Sequence, residues 1–98
     1  MILLPIFVSV TNKTKFMPEI CRFFGIIIFL YWKDHNPPHI HVIYGEYLAE
    51  IDINTGEMLV GDLPKRALKM VQEWTHTNQA ALLDIWKTQN FVELPPLE

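Results

Sequence analysis

Cysteine occurs once, at Cys21, so no internal disulfide can form, and no Cys-x-x-Cys or Cys-x-x-His pair offers a thiolate metal site. The expected compartment is therefore a reducing cytoplasm. Cys21 also has no histidine beside it and only Arg22 as a basic neighbour, so nothing marks it as a nucleophile. Long apolar runs are missing too. Met1 to Val10 is apolar, but Pro5 interrupts it and it falls well short of the roughly 20 residues of a membrane helix. It has neither the leading Lys or Arg nor the small-residue cleavage pattern of a secretory signal, and no membrane partner is expected. An excess of positive charge is lacking as well. Eight Lys and Arg against eleven Asp and Glu give a formal charge of -3, which disfavours broad nucleic-acid binding but leaves a local basic patch open.

What is present is the composition of one small globular domain: 98 residues, half of them hydrophobic and 19% charged. Residues 17–90 read as that domain and 91–98 as an irregular tail ending in Pro95-Pro96-Leu97-Glu98. Residues 1–16 read as an N-terminal extension, either an extra β-strand or a stretch ahead of a true start at Met17.

Phe23 to Trp32 is almost continuously apolar and fits a central strand buried on both faces. Lys33 to Pro38 is a turn, His39 to Tyr44 a second strand, Gly45-Glu46 a two-residue hairpin turn and Tyr47 to Ile53 a third strand. That turn fixes a register in which Tyr44 faces Tyr47, Val42 faces Ala49 and Ile40 faces Ile51, all on one apolar face. His41 then lies opposite Glu50, and His39 opposite Asp52, on the other face. Met58 to Val60 follows as a short edge strand. Asp62 is the expected cap of a helix entered through Pro64. Apolar stripes at Ala67, Val71 and Trp74, and at Leu82, Ile85 and Trp86, continue to Gln89. One helix from Pro64 to Gln89 would be about 39 Å long, too long for this core. A break is expected at Thr75-His76-Thr77-Asn78, with Thr77 or Asn78 capping the second helix. The fold class is α+β: an antiparallel meander of three to four strands followed by two helices on one face.

Three of the four histidines fall in Asp34-His35-Asn36-Pro37-Pro38-His39-Ile40-His41. The His39-x-His41 spacing sets both imidazoles on one side of a strand about 7 Å apart, able to converge on one ion, with His35 or Asp34 approaching from the turn. His35, His39 and His41 are the candidate metal ligands, and with Asp34 the candidate catalytic groups. Glu50 and Asp52 are candidate ligand-binding residues. Imidazole and carboxylate donors suit a divalent transition metal such as zinc or manganese, and also iron or nickel. A metal-free polar site and a simple solvated face or partner surface are the competing readings. Lys65 and Arg66, with Lys69 one turn on, place cations near a helix start where a phosphate could bind or, equally, where they are only solvated. Trp74 and Trp86 read as core, and His76 as a surface or capping residue.

The ordered set Met17-Pro18-Glu19-Ile20, Arg22-Phe23-Phe24-Gly25-Ile26, Asp34-His35-Asn36-Pro37-Pro38-His39-x-His41, Ile51-Asp52-Ile53-x-Thr55-Gly56-Glu57 and Leu63-Pro64-Lys65-Arg66-Ala67 resembles the short bacterial proteins of domain-of-unknown-function family 4160. The resemblance runs from about Met17 to Trp86. It implies no fixed activity. Because such proteins are often encoded beside another small protein, it implies one component of a two-gene, toxin-antitoxin-type module, with the adjacent gene product as partner and a homo-oligomer as a further arrangement. The alternative is a metal- or histidine-dependent hydrolase, with RNA as one conceivable substrate held by Lys65 and Arg66.

Overall fold

The computed structural model describes residues 17–98, and the expectation of an extra strand over Met1 to Val10 lies outside them. Five strands come first: β1 Glu19–Phe23, β2 Ile26–Phe29, β3 His39–Tyr44, β4 Tyr47–Asp52 and β5 Met58–Gly61. Two helices follow, α1 Lys65–Thr77 and α2 Gln79–Thr88. The strands pair in chain order, each antiparallel to the next. The α+β meander with two helices is thus the architecture, with five strands where the sequence pattern gives three to four.

The extra strand comes from the apolar run that reads as a single central strand. Phe24 and Gly25, at φ 48° and 81°, fold it back on itself between Phe23 and Ile26. Two central residues with positive φ make the tight hairpin turn whose twist matches that of paired strands, and glycine adopts it without steric cost. Phe24 is left 64% exposed at the turn.

In the β3–β4 hairpin the register is the one alternation dictates: Tyr44 faces Tyr47, Val42 faces Ala49, Ile40 faces Ile51, His41 faces Glu50 and His39 faces Asp52. Ile40, Val42, Ala49 and Ile51 enter the core with Ile20, Ile26 and Ile28. The helices cover that face with Ala67, Val71, Trp74, Leu82 and Ile85. Each such aliphatic side chain contributes about 1.5–3 kcal/mol on burial, so this face holds the domain together.

The helix break falls at Asn78, within the expected stretch, but the caps differ. Pro64 is the N-cap of α1 and makes no side-chain cap, while Asp62 accepts a hydrogen bond only from the adjacent Leu63 N–H at 3.0 Å. Asn78 is the N-cap residue of α2, one of the two expected, but it makes no side-chain cap there, because its amide turns back to donate to the Trp74 carbonyl at 2.9 Å and closes α1. Residues 91–98 are irregular yet docked. Leu94 donates its N–H to the Ile20 carbonyl at 2.9 Å, the Trp74 indole donates to the Pro95 carbonyl at 2.8 Å, and Phe91, Leu94 and Leu97 pack on the core.

Candidate metal centre

Successive side chains of a strand point to opposite faces, so His39 and His41 share the face of β3 turned away from Ile40 and Val42. A solvated polar face is one reading of that pattern, and the structure overturns it. His39 is 1% exposed and His41 9%. Aromatic rings account for much of the cover: Phe29 stacks on His41 at 5.4 Å between centroids, Tyr31 meets it edge-on at 4.2 Å, and Trp86 of α2 lies 5.3 Å from His39.

The turn ahead of β3 completes the enclosure and delivers a third group. Asp34 Oδ2 lies 2.8 Å from His41 Nε2 and 3.0 Å from His39 Nε2. The three donor atoms of Asp34, His39 and His41 lie within 4.8 Å of one another. Gln89, just beyond α2, fixes this turn: its Oε1 accepts from the Lys33 N–H at 2.7 Å while its amide nitrogen donates to the Trp86 carbonyl at 2.8 Å. The far end of the turn is tied to β4 by the Ile53 N–H donating to Pro38 O at 2.9 Å.

The protonation pattern follows from the partners. His39 Nδ1 sits 2.6 Å from the Pro37 carbonyl, which can only accept, so Nδ1 carries the proton and a neutral His39 presents the lone pair of Nε2 to the cluster. That nitrogen is buried and makes no aligned hydrogen bond, although Asp34 Oδ2 is at 3.0 Å and Glu50 Oε1 at 3.5 Å. A lone pair facing two carboxylate oxygens out of water is costly unless a positive charge is shared among them. Asp34 itself titrates below its ordinary value. Burial pushes it up, but the hydrogen bond to His41, the His35 backbone N–H at 2.8 Å and the neighbouring imidazoles together outweigh that effect.

Other candidates from the sequence are placed differently. His35 stands outside the cluster. Its side chain is 84% exposed and its Nε2 is 3.7 Å from Asp34 Oδ1, so of the two residues that could approach from the turn it is Asp34 that joins the histidines, and His35, expected as a third metal ligand, does not. The short turn explains this, because the backbone bond from His35 to the Asp34 carboxylate orients the aspartate inward and leaves the next side chain pointing out. Glu50 belongs to the rim through its contact with His39. Asp52, though opposite His39, spends Oδ1 on the backbone N–H groups of Asn54 and Thr55 at 2.7 and 2.9 Å, and so builds the β4–β5 turn. Arg66 lines a hollow with Phe24, Tyr44 and Met70, at the far end of β3. Five strand steps of about 3.3 Å separate that end from His39, so Lys65 and Arg66 do not join the histidines in one site. Gln89 is the residue that sequence reasoning misses in its positioning role, since it reads there only as the polar end of a helical stripe.

Compared with known protein families, the chain matches the one described as Domain of unknown function (DUF4160) over residues 25–87, a span that holds β2 to β5, nearly all of both helices and every member of the cluster. Comparison with curated proteins and with solved structures gives no match. Among the described residues no helix is long and apolar enough to cross a membrane. The matched span is well over half of the chain, and the protein belongs to the DUF4160 family.

Proposed function

We propose that Asp34, His39 and His41 hold one divalent transition metal, zinc or manganese by the chemistry of the donors, and that the protein is a small metal-dependent hydrolase with Glu50 as its general base. The observation that carries this reading is the buried His39 Nε2, an unpaired lone pair aimed at two carboxylate oxygens. A cation resolves that arrangement directly. The three donor atoms lie within 4.8 Å of one another, so Asp34, His39 and His41 could hold such an ion between two imidazoles and a carboxylate. With three protein ligands the ion would leave room for a water and would lower that water's pKa toward neutrality. The Pro37 carbonyl acts as the outer partner that holds His39 in its ligating tautomer. Glu50, 3.5 Å from His39 Nε2 and 30% exposed, stands close enough to take a proton from a water on the ion.

Elemental analysis of protein purified without an affinity tag tests this. About one equivalent of metal, lost in a His39→Ala/His41→Ala double variant that stays folded, is the expected result; metal-free wild-type protein that also fails to take up zinc would end the proposal.

A second reading is that the chain is one component of a two-gene module and binds the adjacent gene's product. Its support is β5, an edge strand with Leu59 41% and Val60 56% exposed, where a partner's strand can add to the sheet. Co-expression and copurification of the two proteins test it. Failure to associate at micromolar concentration counts against it.

A further inference from the structure

A groove of about 300 Å3 runs along the sheet face that bears the histidines, lined by Phe29, Tyr31, His41, Leu48, Glu50 and Val60 among others. Two of its lining residues meet the cluster: His41 is one of the three donors and Glu50 Oε1 lies 3.5 Å from His39 Nε2, so the groove adjoins the candidate metal site along that side. Its chemistry is uneven. Among the described residues most of its wall is aliphatic or aromatic, its acid is Glu50, and no Lys or Arg lines it. Leu48 is 64% and Val60 56% exposed, so the apolar wall is open to a ligand.

A phosphodiester requires cations to neutralise the charge that develops on its oxygens. Here Glu50 adds a negative charge beside the three ligands, Lys33 lies with Nζ 4.5 Å from the Trp32 ring centre, and Arg66 is at the opposite end of β3. A carbonyl substrate has the reverse requirement. It needs one Lewis acid on its oxygen, a base for the attacking water and a place for its side chain.

From this we infer that the site acts on a carbonyl compound, an amide or peptide bond flanked by an aromatic or large aliphatic side chain, and does not act on RNA or another phosphodiester. The inference rests on the metal reading above. A bound ion would supply Lewis acidity at the carbonyl oxygen. In the step, a water oxygen bonds to the carbonyl carbon and one of its protons passes to Glu50; the carbon–nitrogen bond then breaks, Glu50 returns that proton to the departing nitrogen, and the water's second proton follows it from the new carboxyl group. The products are a carboxylate and a protonated amine, and water is the only co-reactant. The side chain next to the carbonyl lies between Tyr31, Leu48 and Val60.

The test uses the full chain loaded with cobalt(II), whose visible spectrum reports ligands at the ion, titrated with phenylalanine hydroxamate, acetohydroxamate and inorganic phosphate. Phenylalanine hydroxamate should bind about tenfold or more tighter than acetohydroxamate, reflecting burial of its ring. Leu48→Glu, at an exposed position, should abolish that preference, bringing the two hydroxamates to similar affinities in protein that still takes up cobalt. Equal affinities for the two hydroxamates, a preference that survives in Leu48→Glu, or displacement of the hydroxamate by micromolar phosphate would each overturn the substrate assignment while leaving the metal reading intact. Failure to take up cobalt or zinc at all would overturn both.

Discussion

Adding zinc to the protein should raise its melting temperature, and changing His39 to Gln should remove most of that rise. Structural zinc sites with four ligands bind with about 10–16 kcal/mol, so three ligands are worth roughly 8–12 kcal/mol, a Kd of about 1 μM at the weak end. At about 100 μM zinc the native state then gains about 2.7 kcal/mol over the unfolded chain. For a domain of this size that corresponds to roughly 10–20 °C. His39 contributes one of three donors and Gln cannot replace its nitrogen lone pair. Losing about 3 kcal/mol of affinity weakens binding by more than a hundredfold and leaves less than about 0.5 kcal/mol of stabilisation at the same zinc concentration. The variant must also place an amide where a buried imidazole donates to Pro37, so its melting point without metal will be lower; the zinc-dependent increment is the quantity compared. Differential scanning fluorimetry with zinc, and then with excess chelator, measures it. Equal increments in the two proteins, or no increment in the wild type, would refute the assignment of His39 Nε2 as a ligand.

Gln89→Ala should weaken metal binding about tenfold while costing no more than roughly 1 kcal/mol in a urea titration, because Gln89 holds the Asp34 turn through Lys33 and touches no donor atom. Gly61→Ala should destabilise by about 2–4 kcal/mol, read from the same titration. Gly61 has φ +90°, and an added Cβ would sit 2.8 Å from the Ala49 Cα of the neighbouring strand. Cys21 should alkylate slowly in native protein at neutral pH and rapidly in denaturant, since burial pushes its thiol up and leaves little thiolate; fast native labelling, followed by mass spectrometry, would contradict its placement in the core.

The β3–β4 hairpin was fully legible because its side chains alternate strictly and its turn is two residues long, which leaves one register that keeps Ile40, Val42, Ala49 and Ile51 together. The run from Phe23 to Trp32 was not, because continuous apolarity hides periodicity, and only Gly25 hinted at the reversal there. That histidines would cluster was readable from His39-x-His41. Their burial was not, since it depends on Trp86, 47 residues from the His39 it covers, and on Phe29, 12 residues from the His41 it stacks on, contacts made only through packing. The exchange of His35 for Asp34 turned on one backbone hydrogen bond in the turn, a detail that residue types do not encode. Lys65 and Arg66 read as potential phosphate holders from their charge and their place at a helix start. Strand direction decides where they lie, because β3 carries the chain away from the histidines and α1 begins at the other end of the sheet.

The docked tail gives the sheet two unlike ends. Leu94 is bonded to β1, whereas β5 has a strand on one side only among the described residues. Open sheets polymerise when both margins can recruit another strand, since each addition exposes a fresh acceptor. The Leu94 bond engages the Ile20 carbonyl on the β1 side, so a strand adding there would have to displace the tail, whereas one adding at β5 would not. Removing residues 91–98 should therefore make the β1 margin more open to strand addition, read as increased self-association by analytical ultracentrifugation.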